Sequence, residues 1–295
     1  MSSIPAQPRE RVDVLVPPPH LRGAVVCAIV RRVAADDRAQ PLRADVQANP
    51  YACLNLVAEG AVDVPGRGAL PRRFLTGPFT GPVPTQVAGP LRSVSIVVQP
   101  WLLPQVFGLD ATQTVDRILD LDAQETAGMG ALFDAAAAVA RDLAHADALW
   151  SALDAVLAPA TTGEPALSLS LLRTQGVRAA AQSCGLGERQ YRRRFMHHMG
   201  LRPSAWVRVD RLQTVLQGLG TASPPPPLGE LALDAGYADQ AHMTREARSL
   251  ARRSPGGLAQ ALQGGSGAAW SLQPARPISS RREPRPPLPS EDDLP

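Results

Sequence analysis

At 295 residues the chain is long enough for two domains that each bury a core, and a hydrophobic fraction of 44% fits a globular protein. No apolar run approaches the length of a bilayer span, and the opening MSSIPAQPRERVDV lacks the apolar core of a signal peptide, so a membrane is excluded as a partner and the cytoplasm is the expected compartment. The net charge of +3 hides an uneven distribution: residues 171–260 hold 13 Arg against 6 acids, leaving 17 basic and 21 acidic residues elsewhere.

Every basic side chain is Arg, so it is the clustering rather than the residue type that points to a polyanionic partner such as nucleic acid. Three scattered cysteines, Cys27, Cys53 and Cys184, suit neither a disulfide framework nor a metal knuckle.

Residues 1–11 read as a flexible arm. A β-rich domain with closing helices is expected over 12–158. Its strand-like runs are VDVLV (12–16), AVVCAIVRRV (24–33), ACLNLVAEGAVDV (52–64), RRFLTG (72–77), PTQVAG (84–89) and RSVSIVVQP (92–100), separated by Pro and Gly turns. That spacing predicts an antiparallel sandwich or barrel, with no βαβ alternation. The strand residues Val26, Ile29, Leu54, Leu56, Val94 and Ile96 either line an apolar pocket for a small molecule or simply fill the core.

From Trp101 the pattern is helical: WLLPQVFG, TVDRILDL and an Ala-rich stretch over 127–157. These helices close the β-domain or pair two copies of the chain. Residues 159–167 have linker composition, and the Pro-, Gly- and Ser-rich segment 263–295 reads as a disordered tail.

Between them, 168–262 carries the basic excess. VRAAAQSCGLGERQYRRRFMHHMG (177–200) has small residues at Ala180 and Ala181 for close helix packing, then Gly185 for a tight turn, then a second helix from Glu188. On that helix Tyr191 and Phe195 face inward, while Arg189, Arg192, Arg193 and Met196 form an outward stripe. Pro203 opens a connecting helix with Trp206, Val209, Leu212 and Leu216 on its inner face. The tract Pro224–Pro227 stops it, after which LGELALDA, Gly236 and DQAHMTREAR repeat the short helix, turn and polar helix. Two such units on one rod would reach successive major grooves, about 34 Å apart.

The stretch 177–258 resembles the DNA-binding domain of AraC/XylS-type transcriptional regulators. The resemblance rests on Ala181 and Gly185, on Phe195, Gly200 and Pro203, on Arg211 and Leu212, and above all on GYADQAHMTR (236–245) followed by Ser254 and Pro255. It implies an α+β chain: an N-terminal β-rich, cupin-like sensory or dimerisation domain with C-terminal helices, then an all-α DNA-binding domain with two helix-turn-helix units. It also implies a sequence-specific regulator bound to double-stranded promoter DNA, with RNA polymerase, a small-molecule effector and a second copy of the chain as further candidate partners.

Carried over by position, Arg189, Arg192 and Arg193 read bases in the first unit, and Gln240, Ala241 and Arg245 in the second. Arg suits guanine O6/N7 and Gln suits adenine N6/N7. His242, Thr244 and Arg208 are candidates for phosphate contacts.

Two departures weaken the second unit: Ala247 stands where the family usually has Phe, and Arg252 where it usually has Gly. Gly187 also replaces a Ser cap in the first. The competing reading is therefore a ligand-binding or scaffold protein with a degenerate, weakly DNA-binding reader. An enzyme is not expected, because GxSxG, P-loop and GxGxxG motifs are missing. Among the five histidines only His20 lies in the β-domain, so no metal or other cofactor is expected.

Overall fold

A computed structural model describes residues 10–35, 41–122, 129–158, 165–221 and 225–263. The arm expected at 1–11 and the tail expected at 263–295 lie outside the described residues except for Glu10, Arg11 and Gln263, as do linker residues 159–164 and Pro224.

The β-branched, turn-punctuated runs form β1 (Glu10–Leu15), β2 (Val25–Val33), β3 (Leu42–Val46), β4 (Ala52–Glu59), β5 (Asp63–Val64), β6 (Gly68–Ala69), β7 (Arg73–Thr76), β8 (Val83–Val87), β9 (Leu91–Val98) and β10 (Ile118–Asp120). A six-stranded sheet in the order β1-β2-β9-β4-β7-β10 faces a four-stranded sheet in the order β3-β8-β5-β6, and the paired strands are antiparallel. Of the antiparallel sandwich or barrel expected, the strands form two sheets, a sandwich, and two expectations are corrected. Residues 114–121 do not continue a helix: α2 (Ala111–Thr114) ends there, and Ile118–Asp120 pairs with Phe74–Thr76. The strand Leu42–Val46 lies outside the expected runs.

Beyond the short α1 (Leu103–Phe107), helices α3 (Met129–Arg141) and α4 (Ala146–Leu157) cover the outer face of the larger sheet. Alternate strand residues Ala28, Val30, Leu54, Val94, Ile96 and Val98 share one buried cluster with Leu132, Phe133, Ala136 and Val139, which recur on one side of α3. Burying each large side chain there is worth about 1.5–3 kcal/mol. The end of α3 is fastened by charge as well. Arg32 of β2 donates to the carbonyls of Ala140 and Val139 at 3.0 and 3.1 Å, satisfying groups that a helix C-terminus leaves unpaired.

The remaining helices are α5 (Leu169–Ser183), α6 (Glu188–Met199), α7 (Pro203–Thr221), α8 (Leu228–Asp234), α9 (Gln240–Ala251) and α10 (Pro255–Gln263). α5 breaks at Gly176 (φ 84°), so its second half is the short helix that the sequence predicts. The core under α3 continues through Trp101, Leu167 and Leu172 to Tyr191, Phe195 and Trp206, joining the β-rich part to α5 and α6. A separate cluster holds α7 to α10 and takes in Ala48 of the β-rich part. Among the described residues no helix is long and apolar enough to cross a membrane.

Candidate nucleic-acid interface

Both helix pairs are built on the same turn. In the first, Ala180 and Ala181 are fully buried, Gly185 has φ 66°, and the Leu186 amide donates to the Ala181 carbonyl at 2.9 Å. In the second, Ala232 is fully buried, Gly236 has φ 80°, and the Tyr237 amide donates to the Ala232 carbonyl at 2.9 Å. A side chain bearing Cβ is strained at such φ, which is why glycine stands at both corners.

The pairs diverge after the corner. Gly187 caps α6 with no side-chain bond, whereas α9 starts one residue later relative to its glycine, and the Asp239 carboxylate accepts from the His242 amide at 2.6 Å. That cap is worth about 1 kcal/mol. The extra residue makes Ala241, Thr244 and Arg245 the structural counterparts of Arg189, Arg192 and Arg193, and Ala247 the counterpart of Phe195.

Burial separates the faces of α6. Tyr191, Phe195 and Met199 are buried; the Phe195 ring meets Trp206 of α7 edge-on at 5.8 Å, and the Tyr191 hydroxyl donates to the Leu167 carbonyl at 2.7 Å. Arg189, Arg192, Arg193 and Arg194 are exposed on the opposite side. Glu188 neutralises one of them, accepting from Arg192 at 2.6 Å across one helical turn. On α9, Met243, Ala247 and Leu250 are buried, while Gln240, Ala241 and Arg245 are exposed and His242 and Thr244 half-buried. Gln240, Ala241, Thr244, Arg245 and Arg248 line one shallow groove along that helix. Arg248 extends the stripe by another turn, a continuation that i, i+4 spacing from Thr244 makes legible.

The two outward faces are held together by α7. Arg173 of α5 makes a two-pronged bond to the buried Asp210 of α7 at 2.6 and 2.8 Å, and its guanidinium lies over the Trp206 ring at 5.0 Å. Burial disfavours the charge on Arg173, but the Asp210 hydrogen bonds and charge outweigh it and raise its pKa. Arg208 of α7 donates to Glu246 of α9 at 2.7 Å, so this residue bridges helices while keeping an exposed edge. Burial, aided by the Glu246 charge, raises the pKa of the nearby Tyr237.

The sandwich also encloses a cavity of about 160 Å³ between its sheets. Of the six residues read as its lining, Ile29 and Leu56 line it; Leu54, Val94 and Ile96 instead pack under the helices, and Val26 packs beside Cys27 and Tyr51. The cavity face of β4 and β9 carries Cys53, Asn55, Ser93 and Ser95.

Residues 180–261 match the sequence profile of a family described as a helix-turn-helix domain. This segment is a helix-turn-helix domain of the AraC/XylS type. The chain carrying it is a DNA-binding transcription regulator. No curated protein matches the chain in sequence. One solved structure similar to it is that of ToxT from Vibrio cholerae, at 9% identity and a TM-score of 0.41, covering 86% of this chain and 98% of that one. The helix-turn-helix domain thus puts chemistry on two helices, α6 and α9, each fixed from behind by apolar packing and each presenting guanidinium and amide groups outward.

Proposed function

We propose that this AraC/XylS-type regulator places α6 and α9 in successive major grooves on one face of promoter DNA. Arg189, Arg192 and Arg193 read the first groove and Gln240, Ala241 and Arg245 the second, with His242, Thr244 and the free edge of Arg208 on phosphates. The observation that carries this reading is the repeated turn with its matching amide-to-carbonyl bond, which sets two polar helix faces outward on one connecting helix. The cavity between the sheets serves as the effector site. At the promoter the regulator meets RNA polymerase in the cytoplasm, and two copies bound side by side lengthen the footprint.

Genomic footprinting of the full chain tests this. Discrete protected sites of about two helical turns per copy are expected, and their loss in an Arg192→Ala/Arg193→Ala variant that still folds. Each lost base contact costs about 1–3 kcal/mol. Untouched occupancy in that variant overturns the reading.

A further inference from the structure

The cavity's polar groups are arranged in a way that constrains its guest. Two of its hydroxyls, on opposite walls, have their protons committed within the protein. Ser95 on β9 donates to the Asn55 side-chain oxygen at 2.7 Å, and Thr85 on β8 donates to the Ala44 carbonyl at 2.9 Å. The Asn55 amide gives its protons to the carbonyls of Cys53 and Phe74, at 3.0 and 3.4 Å. What these three side chains turn to the cavity is therefore accepting lone pairs.

The charges are committed too. Arg31 pairs through Nε with the buried Glu10 carboxylate at 2.5 Å, which balances its charge, and Asp45 faces Arg253 of the reader at 3.7 Å. A carboxylate guest would have to share Arg31 with the Glu10 carboxylate already paired to it, so one of two buried negative charges would lack a cation of its own, a cost that buried charges do not recover unless paired. Gln47, Asn49, Thr76 and Ser93 add further polar groups, the wall is otherwise mainly apolar through residues such as Val57, Phe74, Phe79 and Ile118, and the volume suits a guest of about one ring.

We infer that the cavity binds an uncharged, largely apolar molecule that donates a hydrogen bond, a phenol or short alcohol, and rejects the matching carboxylate. This rests on reading the cavity as the effector site. The donated proton would go to Ser95 Oγ, Thr85 Oγ1 or Asn55 Oδ1, and Ser93 adds a hydroxyl free to turn either way.

The test is isothermal titration calorimetry of the full chain at pH 7 with three probes on one skeleton: p-cresol, toluene and p-toluate. Expected dissociation constants place p-cresol about fivefold below toluene and at least tenfold below p-toluate. Thr85→Val and Ser95→Ala, each shown to fold by its circular dichroism spectrum, should bring the cresol-to-toluene ratio toward one. Binding of p-toluate as tight as that of p-cresol, or equal binding of cresol and toluene, overturns the ligand class and leaves the effector site standing. If none of the three binds while duplex DNA is still bound with steep salt dependence, the cavity assignment falls and the DNA reader stands.

Discussion

Arg252 ends α9 with φ 52°, a left-handed conformation that costs a residue bearing Cβ about 1–2 kcal/mol and that glycine adopts freely. Its side chain is exposed, and its amide donates to the Arg248 carbonyl at 3.1 Å, a bond that glycine would keep. Arg252→Gly should therefore stabilise the protein by about 1 kcal/mol, read as a raised midpoint in chemical denaturation. Ala247 behaves differently. It is fully buried in the cluster that also holds Met243, Leu250 and Tyr237, so the second unit's core is closed around a small residue. Ala247→Phe should cost about 1–3 kcal/mol through overpacking, and a stabilised variant would show that room was left for the ring. Near the end of α6, burial, then His197 and Arg194, lowers the pKa of His198. The unfolded chain then binds the proton more readily than the folded one. Stability should fall as pH drops below about 6.5, and His198→Gln should lose less between pH 8 and pH 5.5 than the parent.

At the scale of elements, what the sequence shows depends on whether a pattern has one reading. The helices α6, α7 and α9 each have a buried stripe at helical spacing and an outward face of different chemistry, so their existence and facing were legible from residues such as Tyr191, Phe195 and Trp206. Residues 114–121 fit a helix by spacing alone, with Val115, Ile118 and Leu119 at i, i+3 and i+4. Tertiary contacts decide otherwise: Asp116 sits at φ 56° and accepts from the amide and hydroxyl of Thr80, both at 2.7 Å, breaking the helix and releasing β10 to pair with β7. The cavity lining was illegible for another reason. β4 is buried on both faces, so a period of two cannot say which face meets helices and which meets the interior. The usable signal was polarity, since Asn55, Ser93 and Ser95 mark the cavity side. Caps belong to this scale as well: Asp239→Ala should destabilise by about 1 kcal/mol, whereas Gly187→Ser at the uncapped start of α6 should gain a few tenths, both measurable by denaturant midpoint.

At the scale of the whole molecule, the end of β3 and the residues that follow it touch both the cavity and the helix-turn-helix domain. Ala44, Asp45, Val46, Gln47 and Asn49 form part of the cavity wall, and the same segment contacts α7 and the residues after α9. The buried Gln213 of α7 donates to the Ala48 carbonyl at 2.7 Å, Ala48 lies in the core of the second helix-turn-helix unit, and Asp45 faces Arg253. A guest that shifts this wall has a direct mechanical route to α7, the helix that connects α6 to the α8–α9 pair. Coupling between such sites is reciprocal: a guest that changes DNA affinity by some factor has its own affinity changed by that factor when DNA is bound, typically 5- to 150-fold. Gln213→Ala leaves a buried carbonyl short of a donor and should cost about 1–3 kcal/mol of stability. It should also leave guest and DNA binding measurable separately while shrinking their mutual effect. Titrating the guest with and without duplex DNA, in parent and variant, reads this directly; an undiminished coupling factor in Gln213→Ala would place the route through another contact, with Arg253→Ala as the next to try.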